Sequence, residues 1–262
     1  MLREAADAAA RASGLVDLLR TQLSAPWSIS DLGCGTGSMG RWLAGLLPGP
    51  QHWVLHDRDP RLLDHASASM PDAAADGAPV TVRTWAGDVV DLCAADLAGT
   101  SLVTASALLD LLTVEEVDGL AAACVEAGCA ALLTLTVVGR VEIAPFDPLD
   151  EAFAAAFDAH QRRCTDGRRL LGPDACAVAV DAFSRRGATV TTGLSPWRLG
   201  ADQAALAEEW LRGWIGAACA QQPDLERYAG AYLRRRLDAG AAGVLRVEVG
   251  HVDVLAVPAD GL

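Results

Sequence analysis

The segment Asp31-Leu32-Gly33-Cys34-Gly35-Thr36-Gly37 carries the plainest chemistry in the chain. Glycines at alternate positions allow a sharp turn and the close approach of a ligand, and the helix pattern that follows adds free N–H groups and a positive dipole end. An anionic group belongs there. Gly35, Gly37 and Gly40 also satisfy the G-x-G-x-x-G expression of pyrophosphate loops, so the glycines alone do not identify the ligand. Asp31 narrows the choice. A carboxylate directly before the loop sits badly beside a pyrophosphate, but it accepts a hydrogen bond from an α-ammonium group while the loop backbone receives the rest of an amino acid.

Two later acidic positions extend this reading. Asp57 ends the next apolar run, about twenty residues past the loop, where a carboxylate can take both hydroxyls of a ribose. Asp88 follows a third run, in Ala86-Gly87-Asp88-Val89, where it can accept from the exocyclic amine of adenine while Val89 packs on the ring. Arg58 either lies along that ring or is solvated, and Asp59 caps a helix opening at Pro60.

With these residues in register, the sequence resembles the class I S-adenosylmethionine-dependent methyltransferases over about residues 14 to 137. Asp31 to Gly37 matches that family's first motif residue for residue, His56 to Pro60 resembles its second-strand acidic motif, and Ala86 to Leu92 its adenine motif. The resemblance implies S-adenosyl-L-methionine as cofactor and S-adenosyl-L-homocysteine as product. It gives the methionine end to Asp31, Gly33 and Gly35, the ribose to Asp57 and the adenine to Asp88, with Cys34, Gly37, Arg58 and Val89 as further candidate cofactor contacts. It also implies a Rossmann-like α/β fold, with a seven-stranded, mostly parallel sheet of order 3-2-1-4-5-7-6, the last strand antiparallel and helices on both faces. Two other classes remain open: a non-catalytic, cofactor-binding or regulatory protein of the same fold, and an NAD-dependent oxidoreductase.

The elements that must position these residues are legible as an alternation. Residues 3 to 24 repeat apolar positions at helical spacing and stop at Ser24-Ala25-Pro26. Strands are predicted at Trp27 to Asp31, His52 to Asp57, Val80 to Trp85, Ser101 to Leu109 and Ala130 to Val138, with helices at Gly37 to Leu47, Pro60 to Met70 and Val114 to Ala127. Helices are predicted at Asp147 to Arg163, Pro173 to Arg186, Ala204 to Cys219 and Asp224 to Asp238, and a strand at Thr189 to Leu194. The alternating run Val244 to Val257 reads as a hairpin partner or edge strand, and it fits the family's antiparallel seventh strand. The expected organisation is one domain, 1–262: a leading helical cover (1–24), a cofactor-binding half (25–138) and an acceptor-side half with helical insertions (139–262).

Acceptor chemistry should come from the carboxyl ends of the later strands and from the insertions. The fourth strand runs out through Ser106 to Asp110, and either can face the methyl group, Ser106 as a cofactor contact and Asp110 as a catalytic group or as a plain surface or capping residue. His160 is a candidate general base at a helix end beside the flexible joints Gly167 and Gly172, and Arg162 stands next to it. Trp197 and Arg198 form either an aromatic wall with a cation for a planar or anionic acceptor, or a packing corner. Arg3, Asp7 and Arg11, at i, i+4 and i+8, read as a solvated, ion-paired helix stripe, with Arg11 near the cofactor carboxylate as the alternative.

Composition limits the partners. Of 262 residues, 52% are hydrophobic, ample for a core, and the net charge of −13 with no lysine argues against nucleic acid. The seven cysteines are scattered, with no metal-ligand spacing, and read as reduced, mostly buried thiols. No apolar run reaches the roughly 18 residues of a membrane helix, and the expectation is a cytoplasmic enzyme acting on a small-molecule acceptor, without nucleic-acid or membrane partners and without metal. No Asn/Asp-Pro-Pro-Tyr motif for amino or base nitrogen follows the fourth strand.

Overall fold

The computed structural model describes residues 2–259. Helices α1 (Glu4–Ala10) and α2 (Ser13–Gln22) lead into an alternation of strand and helix: β1 (Trp27–Leu32), α3 (Ser38–Ala44), β2 (Gln51–Asp57), α4 (Pro60–Ser69), β3 (Val80–Ala86), β4 (Leu102–Ser106), α5 (Val114–Glu126) and β5 (Ala130–Ala144). The second half holds α6 (Asp150–Gln161), a two-residue hairpin of β6 (Cys164–Thr165) and β7 (Arg168–Arg169), α7 (Ala175–Ser184), β8 (Thr189–Leu194), β9 (Trp197–Leu199), α8 (Ala204–Gln221), α9 (Glu226–Ala241) and β10 (Arg246–Val257).

The main sheet runs β3-β2-β1-β4-β5-β10-β8, parallel from β3 to β5, with β10 antiparallel to both its neighbours. This is the expected order, with β10 as the seventh strand and β8 as the sixth. Parallel strands covered on both faces need apolar residues on both faces, and two cores result. On one side α2, α3 and α4 pack Leu19, Leu43 and Leu63 on Ile29, Trp53 and Leu55; on the other α5 and α7 pack Val117, Ala121 and Phe183 on Val103, Ala105 and Leu133. The insertions add a separate cluster in which α6, α8 and α9 bury Phe153, Trp214 and Tyr232.

Four expectations are corrected. Strand β4 ends at Ser106 rather than Leu109, because Ala107 takes a positive φ of 52° and the chain tightens into a 3-10 turn over Leu109–Leu111. Strand β5 continues past Val138 to Ala144, where burial stops but antiparallel pairing with Arg246 to Val249 persists. β10 is no edge: it lies between β5 and β8, and it also pairs with β9, an eighth strand that makes Trp197 to Leu199 more than the tail of the sixth. Helix α6 begins at Asp150 rather than Asp147, whose carboxylate accepts the Leu149 N–H in a preceding turn. Asp59 does cap α4, accepting the Arg61 N–H with Pro60 at the first position.

Candidate functional site

The glycine loop lies between β1 and α3 and lines a cavity of about 320 Å³ with Arg3, Asp7, Asp31, Ser38, Ser106 and Ala107. Gly33 has φ of +59°, and a Cβ there would stand 3.1 Å from Leu108, so both the turn and the packing of the loop after β4 call for glycine. Gly40, the third glycine of the expression, has a different cause: a Cβ there would meet the Met70 sulfur at 2.6 Å. The loop is further fixed by Cys34, whose N–H donates to the His56 carbonyl, and by Gly35, whose N–H donates to Asp57 Oδ2 at 2.9 Å.

Asp31 is fully buried. Its Oδ1 accepts from the Thr104 hydroxyl at 2.7 Å, while Oδ2 has no partner. Burial pushes its carboxyl up to about 7, against the pull of Thr104 and Arg11. Arg11 is 4% exposed and donates to Ser38 and Ser106, both of which line the cavity, at 3.4 and 3.2 Å. Its Nε and Nη1 are buried without partners. Burial pulls the guanidinium pKa down, and Asp7, Asp31 and Asp253 push it back. A desolvated carboxylate oxygen and desolvated guanidinium nitrogens beside one cavity are an arrangement that protein interiors avoid unless something else satisfies them.

The Arg3-Asp7-Arg11 stripe is ion-paired, with Arg3 on Asp7 at 3.0 Å and Arg3 half-exposed, but Asp7 and Arg11 are not solvated. Helix α1 ends at Ala10, Arg11 is extended, and both Asp7 and Arg11 turn inward. Ala12, the next residue, donates its N–H to Asp253 Oδ2 at 2.8 Å. Asp253 of β10 also accepts from Leu135 N–H and the Ser195 hydroxyl, so one buried carboxylate ties the leading helices to the sheet. Sequence reasoning missed Thr104 and Asp253, which look like ordinary strand residues. The Ser13-Gly14 pair was the signal that the helix breaks at Arg11.

The remaining expected residues fall into two groups. Asp57 is 9% exposed, with its two oxygens on the Gly35 and Asp59 N–H groups, and Cys34 lies buried in the loop, its thiol pushed up by burial. Asp88 is exposed and caps a 3-10 turn through the Val90 N–H, and Arg58 is exposed. Val89 lines a second cavity, about 190 Å³, with Leu32, Leu108 and Leu112; it adjoins the first where Leu108 packs on Gly33. Asp110 is half-buried, its carboxyl raised by burial and opposed by Arg3 and Arg163. Arg163 also stands beside His160, whose imidazole is pulled down by burial and by that arginine. Asp110 and His160 thus share one cationic neighbour. Trp197 is buried, with its indole N–H on Asp7 and the Arg3 guanidinium over its ring. Arg162 and Arg198 are not brought to the glycine loop: Arg162 is held by Asp174 and Arg198 by Glu248.

Among the described residues no cluster of His, Cys, Asp and Glu could hold a metal ion, and no helix is long and apolar enough to cross a membrane. All seven cysteines are free, but only Cys34, Cys124 and Cys129 are buried, fewer than expected.

No family model and no curated protein matches the sequence. Solved structures do. A candidate methyltransferase from Bacillus halodurans superposes with a TM-score of 0.52 at 12% identity, covering 94% of this chain and all of its own. A cyclopropane synthase from Mycobacterium tuberculosis gives 0.48 at 15% identity, covering 93% of this chain and 83% of that one. An S-adenosylmethionine-dependent methyltransferase from Geobacter sulfurreducens, in complex with S-adenosyl-L-homocysteine, gives 0.44 at 17%, covering 93% and 88%. The strand order, the loop after the first strand and the first of these superpositions agree: the chain has the Rossmann-like fold of the class I methyltransferases.

Proposed function

We propose that this protein is an S-adenosylmethionine-dependent methyltransferase acting on a small-molecule acceptor. The observation that carries the proposal is the unpaired Asp31 Oδ2 on the wall of the glycine-loop cavity, with the unpaired Arg11 nitrogens one layer behind, on the guanidinium bonded to the lining residues Ser38 and Ser106. A buried anion and a buried cation, each short of a partner, complement the ammonium and carboxylate of an amino acid, the one end that separates this cofactor from a dinucleotide. Solved neighbours of the same fold hold S-adenosyl-L-homocysteine, which supports the same ligand here.

In this reading residues 25–138 hold the cofactor: Asp31 and Arg11 its amino-acid end, the backbone from Gly33 to Gly37 the adjoining chain, Asp57 the ribose, and Asp88 with Val89 the adenine, next to the slot of Leu32 and Leu108. Residues 1–24 cover the site and 139–262 supply the acceptor side of a single cytoplasmic domain. Bound there, S-adenosylmethionine would supply an electrophilic methyl group to a lone pair of the acceptor, its sulfur keeping the carbon–sulfur electron pair. The protein's work is alignment and exclusion of water. Ser106, on the cavity wall, fixes Arg11 behind it. Where the acceptor carries a proton, it passes either to Asp110 as the carboxylate, whose proton affinity burial raises, or to His160, which burial keeps neutral and free to accept.

Calorimetric titration with S-adenosyl-L-homocysteine, with NADH as control, tests this. Binding of the first and silence with the second is expected; heat with NADH alone would replace the methyltransferase with a nicotinamide enzyme.

A further inference from the structure

A further cavity, about 560 Å³, shares Arg3 with the glycine-loop cavity and is lined by Phe157, Trp197, Leu206, Trp210, Gly213 and Trp214. Its aromatic walls come from elements far apart in sequence: Phe157 from α6, Trp197 from β9, Trp210 and Trp214 from α8. The two α8 indoles stack at 5.3 Å and 19°, and Phe157 tilts against Trp214 at 6.4 Å. Trp197 is aligned by its hydrogen bond to Asp7, a residue of the glycine-loop cavity, and Arg3 lines both cavities. The size falls within the range of about 300 to 1,000 Å³ typical of small-molecule sites.

Two polar features narrow the occupant. Trp214 lines the cleft although it is 2% exposed, and its indole N–H is buried without a partner, a donor left over among the residues that form this wall. Arg3 already covers the Trp197 face at 5.3 Å and Trp214 is packed into the core, so the ring left for a ligand is the half-buried Trp210, backed by Trp214 and with Phe157 beside that ring. A flat ring stacks on such a surface at small entropic cost, whereas an aliphatic chain gains no quadrupole match.

We infer that this cleft is the acceptor subsite and that it takes a planar aromatic molecule of one or two fused rings carrying an oxygen that accepts a hydrogen bond. The inference rests on the methyltransferase reading, since it is the shared Arg3 that sets the ligand against the glycine-loop cavity.

Gly213 gives a test that does not endanger the fold. It lies within α8 and lines the cleft, and a Cβ there meets nothing within 4 Å, so Gly213→Leu fills the cleft while favouring the helix. The probe is 2-naphthol, with cyclohexanol as the non-planar control, titrated with and without S-adenosyl-L-homocysteine. Expected are binding of 2-naphthol and not cyclohexanol to the natural protein, at least a tenfold loss in Gly213→Leu, an unchanged or higher Tm, and an unchanged homocysteine titration. Equal 2-naphthol affinity in the two proteins, or none in the natural one, overturns the inference. Failure of the homocysteine to bind the natural protein overturns the cofactor reading instead, and the naphthol titration without it still reads the cleft.

Discussion

The Arg11 guanidinium donates to the Ser106 hydroxyl at 3.2 Å, joining the end of the leading helix to the end of the central strand β4 beside the glycine loop. Two of its three nitrogens have no partner. A buried cation so placed weakens the fold and serves a ligand, so its removal separates the two. Arg11→Met should lower affinity for S-adenosyl-L-homocysteine by about 1.5 to 3 kcal/mol, roughly tenfold to a hundredfold, while Tm holds or rises. Calorimetry and a thermal melt on the same sample read both, and wild-type affinity in the variant would remove Arg11 from the site.

Asp31 makes binding depend on pH. Its folded carboxyl is raised from the ordinary 3.8 to about 7 by burial, so the native state holds a proton that the unfolded chain releases. Stability is therefore lost as pH rises from about 4 through about 7, on the order of 4 kcal/mol for this group. Asp31→Asn should be more stable than the natural protein at pH 8 and close to it at pH 4. In the natural protein, an ammonium ligand favours the ionised form, so homocysteine affinity should climb toward pH 8 with release of a proton. Proton release is read from titrations in buffers of different ionisation enthalpy, and a flat profile would count against the Asp31–ammonium contact.

His56 works in the opposite direction. It is 4% exposed, both ring nitrogens lack partners, and burial pulls its imidazole down to about 4. The native state then binds fewer protons than the unfolded chain between about 4 and 6.5, so stability falls as pH drops through that window. His56→Phe should flatten the acid side of a plot of urea midpoint against pH, and an unaltered slope would show that other groups set it.

Asp253 positions Arg11 through the backbone. Its two oxygens receive N–H groups from Ala12 and Leu135. An amide turns one NH₂ toward one of these donors, so Asp253→Asn should cost about 2 to 3 kcal/mol of stability. It should also weaken homocysteine binding although Asp253 does not line the cavity, because Ala12 follows Arg11 directly. A destabilised variant with undiminished affinity, measured well below its Tm, would confine Asp253 to a purely structural role.

What was legible in the sequence was what repeats along a single element. The loop from Asp31 to Gly37, the helix cap at Asp59 and the parallel half of the sheet each follow from local spacing and turn chemistry. What was not legible depends on chain segments meeting at a distance. Arg11 looked solvated because helical spacing was carried one residue past the end of α1. The length of β5 was hidden because its apolar run ends at Val138, while the pairing that prolongs it comes from β10, more than a hundred residues later. Arg162 and Arg198 looked available because their acidic partners, Asp174 and Glu248, lie 12 and 50 residues away.

The position of β10 also orders events in time. Ribosomal synthesis delivers this strand after every other strand of the sheet, yet it is the wedge between β5 and β8 and it brings Asp253 to the amide beside Arg11. A nascent chain can assemble β1 to β5 with their helices, but the Ala12 N–H beside Arg11 has no Asp253 carboxylate to bond until β10 has been made. Ala12 and Asp253, 241 residues apart, can therefore take their final places only together.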